Sequence, residues 1–484
     1  YIPFNIKNYF LFKNFLNLIY LGINKLGENM ENQSYWQKTV KLNSYPQITK
    51  AANYDVVIIG GGMSGITLAY RLNNSGLKVA LLEANTLASQ TTGHTTGKVT
   101  YLHGTIYSEL AKAYNINKAK QYLESNYEAF CEIKKIIDEK QIDCDYQENI
   151  SYIGANDEKN SEKIIEQIAM LKKWGFNVLE NELEGYQASM GLNNQAIFHP
   201  LKYLAGLLQF CNNIEIYEHS LVRDSFIEDN LVNLKVNNLI IKTKKAIWMT
   251  RYPINLQHGY FIRLLQEREH ISYQSIQSNS NSVLDLTTNY SKRLVDNQHC
   301  LVIDQLAKKT WYGQDTKALR KLPYIGKIND YEYVSYGYDK WGMTLSHVAS
   351  KIIYDLIVYQ DSKYASLYAI GNGNYLHAGS DIVKLIKNNY HGMIKNRIFV
   401  AKDVKLKAGE GKVVRHRGRL LAIYRDFDDR VFYMSPYCPH LKCVVEFNLQ
   451  DQTWCCPCHG SIYNCYGKLL NGPATSSLKK SKPG

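Results

Sequence analysis

The sequence holds no apolar run long enough to cross a bilayer. Its best stretch, Phe15–Ile23, is short and broken by Asn17, whereas a spanning helix needs about 20 apolar residues. No small-x-small cleavage pattern follows it, which argues against a secretory signal peptide. Long basic blocks are also missing. The net charge is +13, but Lys and Arg are scattered and groups such as Lys242–Lys245 and Lys479–Lys482 are short. That pattern describes a solvated basic surface rather than a nucleic-acid-binding protein, and it is compatible with an acidic substrate or electron-transfer partner. A secreted disulfide scaffold is excluded by where the ten cysteines fall. Cys131, Cys144, Cys211 and Cys300 are scattered, and the other six crowd between Cys438 and Cys465, as in a metal site. There is no internal repeat, and no paired-His spacing of the kind a mononuclear iron held by two His and a carboxylate requires.

The 484 residues, 45% hydrophobic and 21% charged, suffice for two or three packed globular domains. The 38 tyrosines read as the codon bias of an AT-rich genome. Residues 1–29 are expected to be translated leader, with Met30 as the start, because Leu26-Gly27-Glu28 can be encoded by a purine-rich ribosome-binding sequence. Residues 30–53 are polar and mixed, and predict a surface-running segment.

Asp55–Ile59 reads as a buried strand, followed by Gly-rich sequence, an apolar helix and a second strand over 77–83. Together these form a βαβ unit with a parallel sheet. Residues 106–141, 160–175, 204–211 and 341–359 read as helices, and 214–217 and 240–249 as strands. Between 255 and 325 the pattern is mixed. After about residue 395 short strands and turns take over, with turns at Asp426–Asp429 and Gly467.

The run Gly60-Gly61-Gly62-Met63-Ser64-Gly65 supplies G-x-G-x-x-G between strand and helix. Gly60 permits the tight turn, Gly62 lets the backbone approach a pyrophosphate, and Gly65 lets the helix pack on the strand. The helix N-terminus then faces the phosphates. Glu83, eighteen residues beyond Gly65, stands where a carboxylate accepts hydrogen bonds from ribose hydroxyls. A hydroxyl- and Gly-rich loop, Ser89–Lys98, follows and can contact phosphate and flavin through Gly93, His94 and Thr95. Much later come Leu322-Pro323-Tyr324-Ile325-Gly326 and Gly337-Tyr338-Asp339-Lys340-Trp341-Gly342-Met343-Thr344, the latter opening a helix.

These segments resemble the D-amino-acid-oxidase/glycine-oxidase-like FAD family. The resemblance implies FAD as cofactor, with Gly342 and Met343 placing N–H groups near the flavin ring and Trp341 beside it. Simple core packing is the other reading of Trp341, and His94 either faces the flavin or braces its loop. Across residues 34–390 the middle is thin. The stretch from Tyr273 to Trp311 is shorter than the family leads one to expect, and Lys321 stands where an acidic or neutral residue is expected. Arg263, in Tyr260-Phe261-Ile262-Arg263, can bind a substrate carboxylate bidentately or cap surface or core.

Cys438-Pro439-His440 and Cys456-Pro457-Cys458-His459 form the second constellation, with fifteen residues between His440 and Cys456. A Rieske [2Fe–2S] centre needs two thiolates on one iron and two imidazoles on the other. C-x-H and C-x-x-H supply one of each per loop: Cys438 and Cys456 for one iron, His440 and His459 for the other. Zinc also accepts two Cys and two His, but it leaves Cys443, Cys458, Ser461, Tyr463 and Gly472-Pro473-Ala474 without a role. In the respiratory-complex type of Rieske protein, which this region resembles, cysteines at the places of Cys443 and Cys458 form a disulfide. Hydroxyls at the places of Ser461 and Tyr463 donate to a bridging sulfide and a ligand sulfur, which raises the potential. Cys455 and Cys465 receive no role.

The whole chain after Met30 resembles a bacterial family of FAD-dependent oxidoreductases with a C-terminal Rieske domain. The expected architecture is an α/β Rossmann-like FAD-binding domain with an inserted α+β substrate domain, followed by a small all-β Rieske domain. The expected boundaries are 30–392, with substrate-domain parts near 150–200 and 255–325, and 396–484. The resemblance implies a cytoplasmic enzyme that takes a hydride from an amine or amino-acid-like substrate. Electrons then pass through the [2Fe–2S] cluster, whose type spans about −150 to +300 mV, to an external acceptor, protein or quinone. An electron-transfer or redox-sensing protein without its own small substrate is the alternative.

Overall fold

The computed structural model describes residues 33–254, 257–276, 281–304, 310–371, 373–400 and 405–482. The expected leader, 1–29, lies outside them. Among the described residues no helix is long and apolar enough to cross a membrane. The described chain separates into two compact units, 33–383 and from 384 onward, so that residues 384–392 group with the C-terminal unit.

In the larger unit the strand Asn53–Ile59 pairs in parallel with Val79–Leu82 on one side and Leu239–Trp248 on the other. Val56, Val57, Ile58 and Ile59 are all buried, because a parallel strand is covered on both faces. Val56 and Ile58 pack with the helices Met63–Leu72 and Gly342–Val358, and Val57 and Ile59 with the opposite cluster around Trp248 and Tyr336. Ile214–Tyr217 extends the sheet beyond Val79–Leu82, and Glu332–Tyr336 and Tyr324–Lys327 extend it beyond Leu239–Trp248.

The expected helix over 106–141 is two helices, Ile106–Ala113 and Ile116–Lys140. Asn115 turns extended between them and its side chain accepts from Lys118 N at 2.9 Å, a local cap that outweighs continued helix. Asp157 caps Glu158–Lys173 in the same way.

The mixed stretch 255–325 contains five strands of a second, nine-stranded sheet: Leu264–Ser275, Ser282–Asp285, Ser291–Leu294, His299–Ile303 and Thr310–Ala318. Their pattern is obscured because the longest carries Gln266-Glu267-Arg268-Glu269-His270, all half-buried, where alternation between a wet and a dry face breaks down. The sheet continues through Gln147–Ala155 and Ala188–Ile197 to Lys98–Val99.

The expected surface course of residues 30–53 holds for most of 41–53, which is exposed, but not at Ser34 and Trp36, which are buried; 30–32 lie outside the described residues. Ser34 caps a short helix, Tyr35–Thr39. Trp36 is 1% exposed, donates from Nε1 to Thr95 O at 2.6 Å, and lies under the Arg293 guanidinium at 4.9 Å. One tryptophan supplies enough buried area to anchor an otherwise polar stretch.

In the C-terminal unit, Gly411–His416, Arg419–Arg425 and Val431–Met434 form a three-stranded antiparallel sheet. Glu446–Asn448, Thr453–Cys455, Ile462–Asn464 and Leu469–Asn471 form a four-stranded one. The Asp426 carboxylate accepts from Asp428 N and Arg430 N, which closes the turn between the second and third strands. Trp454 and Tyr463 are fully buried in the core, with Trp454 Nε1 donating to Cys465 O at 3.1 Å.

Trp36→Ala is expected to destabilise the larger unit by about 3–5 kcal/mol, seen as a lower denaturation midpoint. Lys38→Ala, on the exposed side of the same helix, should move it by less than about 0.5 kcal/mol.

Candidate functional site

At the Gly-rich corner the backbone comes into contact with itself. Gly60 has φ +111°, and a Cβ there would stand 2.5 Å from Met249 O. A Cβ on Gly65 would stand 1.9 Å from Gly60 O. Gly62 is the N-cap of Met63–Leu72 and has no side chain to close the helix end. Beside it, Thr92 Oγ1 accepts from Met63 N at 3.0 Å. Glu83 accepts from Gly61 N at 2.7 Å and Asn85 N at 2.8 Å. Burial pushes its carboxyl up against the pull of these N–H groups. The corner is thus an open helix N-terminus next to a carboxylate held in place by backbone, as a dinucleotide site needs.

The loop after Glu83 is pinned from several sides. A Cβ on Gly93 would meet Ala88 O at 2.4 Å. His94 Nδ1 lies 2.7 Å from Gln90 O, a contact that ties the turn together. Trp311 Nε1 donates to His94 O at 3.2 Å, and Trp36 holds Thr95 O.

The late Gly-rich segment comes to the same end of the sheet. Ser64 Oγ lies 2.8 Å from Tyr338 Oη and 3.1 Å from Ser346 Oγ, so the helix starts at Met63 and Gly342 are linked. Trp341 precedes Gly342 and stacks on His103, ring centroids 4.6 Å apart and 13° from parallel. Met343 is buried. The charged side chains around this segment were not singled out in the sequence. Lys340 Nζ pairs with Glu269, and Lys340 N donates to the Asp315 carboxylate. Lys317 pairs with Asp381 at 3.1 Å, and burial pushes Asp339 up to about 6. Arg251, which follows the strand end beside Gly60, donates to Gln314 O at 3.2 Å.

Two more arginines differ in what they can do. Arg263 is half-buried near Tyr260 and Tyr324, whose phenols burial pushes up against the weaker opposing pull of its charge. Arg320 is fully buried and donates to the carbonyls of Leu322 at 2.9 Å, Ala369 at 2.5 Å and Tyr368 at 2.7 Å, and to that of Pro323. It pins the segment after the second sheet. Lys321 pairs with Glu109.

In the C-terminal unit two loops meet. Cys443 and Cys458 form a disulfide, and both sulfurs lie within 4.8 Å of Cys456 Sγ. The His440 and His459 rings are 5.0 Å apart and nearly perpendicular. Cys438 is drawn down to about 6, first by its hydrogen bond with Cys456 and then by the one with Tyr463. Burial lowers His440 to about 4 and His459 to about 3. Tyr463 Oη lies 3.1 Å from Cys438 Sγ, and Ser461 Oγ accepts from Ala474 N at 3.0 Å. Neutral imidazoles and an acidified thiol are the states in which these groups bind metal.

Residues 55–244 match the family described as FAD dependent oxidoreductase, and residues 396–482 match the Rieske [2Fe-2S] domain. The Rieske 2Fe-2S iron-sulfur protein YhfW of Bacillus subtilis (strain 168) is 31% identical over 93% of this chain and 97% of its own length. The chain belongs to the family of FAD-dependent oxidoreductases with a C-terminal Rieske domain. The larger unit of this oxidoreductase is also similar to gamma-glutamylputrescine oxidoreductase of Escherichia coli (strain K12), 22% identical over 66% of the chain and 86% of that protein. Glycine oxidase from Geobacillus kaustophilus shares the fold with a TM-score of 0.56, at 14% identity over 66% of this chain and 98% of the other.

The oxidoreductase binds FAD in the larger unit and a [2Fe–2S] cluster in the smaller. The residues fit both groups. Gly62 brings no side chain of its own to the helix end, and the one atom a Cβ there would meet is Thr92 Oγ1 at 3.1 Å, the acceptor of Met63 N. The two loops also supply two thiols and two imidazoles apart from the disulfide. Cys455 and Cys465 lie outside the ligand set and the disulfide; Cys455 Sγ is 3.4 Å from Thr453 Oγ1 and Cys465 is buried.

Gly65→Ala is expected to abolish FAD retention, because its methyl has to displace Gly60 O. Absorbance of the purified variant near 450 nm, relative to iron content, reads this out. Tyr463→Phe should keep the cluster but lower its midpoint potential in a redox titration, since a hydrogen bond to the ligand sulfur favours the more negative, reduced cluster.

Proposed function

We propose that this oxidoreductase dehydrogenates an amine or amino-acid-like substrate and delivers the electrons to an external acceptor, protein or quinone, through its C-terminal module. Bound FAD supplies a two-electron acceptor that releases electrons singly, and the cluster supplies a one-electron carrier. The observation that carries the reading is the presence in one chain of a glycine-oxidase-like fold and a Rieske module whose ligand Cys438 already has a hydroxyl partner in Tyr463.

Each part of the chain has a task. The open helix end at Gly62 and Met63 holds the diphosphate, and Glu83 the ribose. Gly93, His94 and Thr95 shape the loop beside the flavin, with Trp36 and Trp311 holding its carbonyls. The helix start at Gly342 and Met343 lies toward the ring system, and Trp341, stacked on His103, closes that side. The half-buried row Gln266–His270, with Lys340 across from Glu269, gives a polar wall able to orient an amine. Arg263 is the candidate for a substrate carboxylate. Arg320 is not, because protein carbonyls take its donors. Cys438 and Cys456 hold one iron, and His440 and His459 the other. The disulfide Cys443–Cys458 joins the two loops, and Ser461 and Tyr463 donate to the sulfurs. We assign the flavin domain to residues from 30 up to 383, short of the expected 392 because the chain joins the smaller unit at 384, and the Rieske domain to 396–484 with 384–395 leading into it. A cytoplasmic setting is in keeping with the free thiols of Cys131, Cys144, Cys211 and Cys300.

Anaerobic stopped-flow mixing with a panel of amines and amino acids tests the reading. Flavin bleaching followed by reduction of the cluster is the expected sequence. If no member bleaches the flavin while dithionite reduces both centres, the carrier reading replaces it. Cys438→Ser should bleach normally with substrate yet hold no cluster and reduce no acceptor.

A further inference from the structure

The segment that leads into the β-domain does more than join it to the preceding chain. After the helix Gly379–Tyr390, residues His391–Lys395 form a π-helical turn and Asn396–Ile398 a short helical one. π-turns are rare and recur at functional sites. Gly392 is buried against the disulfide that joins the two cluster loops. A Cβ on it would lie 2.6 Å from Cys458 Sγ, 2.9 Å from Pro457 Cγ and 3.2 Å from Cys443 Cβ. Glycine is required here by space alone.

The same segment grips the first cluster loop through polar contacts. Gly392 O accepts from Val444 N at 2.8 Å. Arg397 donates to Lys442 O at 2.7 Å, and its guanidinium sits 5.5 Å from the centre of the Tyr437 ring. Asn396 Nδ2 donates to Glu446 Oε1 at 2.6 Å. Arg415, on the first strand of the three-stranded sheet, donates to Arg397 O at 2.6 Å and so anchors the segment from the other side. Met393, Ile394 and Lys395, within the same turn, are exposed. One face of the turn therefore touches both loops, the second through Pro457 and Cys458 and the first through Val444, Lys442, Tyr437 and Glu446.

We propose that residues 391–397 are a clasp that positions the two cluster loops against each other, with Gly392 as its positioning residue, and that the clasp sets the redox properties of the cluster. The physical route is short. The potential of such a centre follows the hydrogen bonds to its sulfurs and the access of water. Both depend on how closely the Cys438–Cys443 loop lies against Cys456–Ser461, which fixes the 3.1 Å contact from Tyr463 Oη to Cys438 Sγ. Gly392 covers the disulfide at the junction of the loops and keeps water from it. The inference rests on the Rieske module and not on the choice of substrate.

The test uses the full-length holoprotein with Gly392→Val, Arg397→Gln and, as control, Lys395→Ala. The readouts are EPR of the reduced cluster, its midpoint potential, iron and FAD per chain, and the rate at which a dithiol reduces the disulfide. Gly392→Val is expected to keep FAD, to shift the EPR g-values and the potential or lose iron, and to expose the disulfide so that it is reduced about tenfold faster. Arg397→Gln should move the same readouts in the same sense by less, and Lys395→Ala should leave them at wild-type values. Wild-type spectrum, potential and reduction rate in Gly392→Val would overturn the proposal. If that variant also loses FAD, Arg397→Gln decides by the same readouts.

Discussion

The flavin unit depends on a backbone contact in which no side chain takes part. Gly65 leaves only a hydrogen where a Cβ would be 1.9 Å from Gly60 O. This lets the helix Met63–Leu72 descend onto the strand Asn53–Ile59 and point its uncapped end at the cleft. The rest is arranged around that approach. Glu83 sits on Gly61 N, Thr92 on Met63 N, and Ser64 reaches Tyr338 and Ser346 to bring the second helix start alongside. Fixed acceptors for Gly61 N and Met63 N hold the turn in shape, so the site is organised before a ligand arrives.

The smaller unit solves a different problem with a similar economy. Its two loops have little regular structure of their own, so their relation is fixed by a covalent bridge, by the clasp over that bridge and by a buried phenol. Burial keeps His440 and His459 neutral, and the thiol–thiol contact acidifies Cys438. The same contact pushes the Cys456 thiol up, so the pair shares one proton more readily than it holds two, and a bound cluster's own charge dominates this dry environment.

Much of the site was legible in the sequence because it is local. G-x-G-x-x-G followed by Glu83, and the two Cys/His loops, are short spacings whose geometry is set by the turn that contains them. The strands Ile214–Tyr217 and Leu239–Trp248 were legible from local pattern too: buried Ile214 and Ile216 flank exposed Glu215, and buried Ile241 and Thr243 alternate with exposed lysines before the buried end Ala246–Trp248. The strand Leu264–Ser275 was hidden because its middle, Gln266–His270, is charged or polar and half-buried throughout, so no two-residue alternation shows. Trp36, Arg251, Arg320 and Lys340 were missed because their roles come from partners far along the chain. Arg320 looks like an ordinary arginine until Tyr368 O and Ala369 O are brought to it. Gly392 gave no signal, since nothing in His391-Gly392-Met393 announces a disulfide next to it.

The carbonyls of the turn at 94–95 are held by two indoles from opposite directions in the chain, Trp36 at Thr95 O and Trp311 at His94 O. During synthesis the first brace is available as soon as the loop emerges. The second waits for more than two hundred further residues, since His94 and Trp311 are 217 positions apart. A nascent chain therefore carries the Gly60–Gly65 turn, Glu83 and Thr92 long before the strands facing them exist, and long-range closure of this kind is slow. The loop beside the Gly-rich turn thus gains its second indole only once the last strand of the second sheet, Thr310–Ala318, has been made.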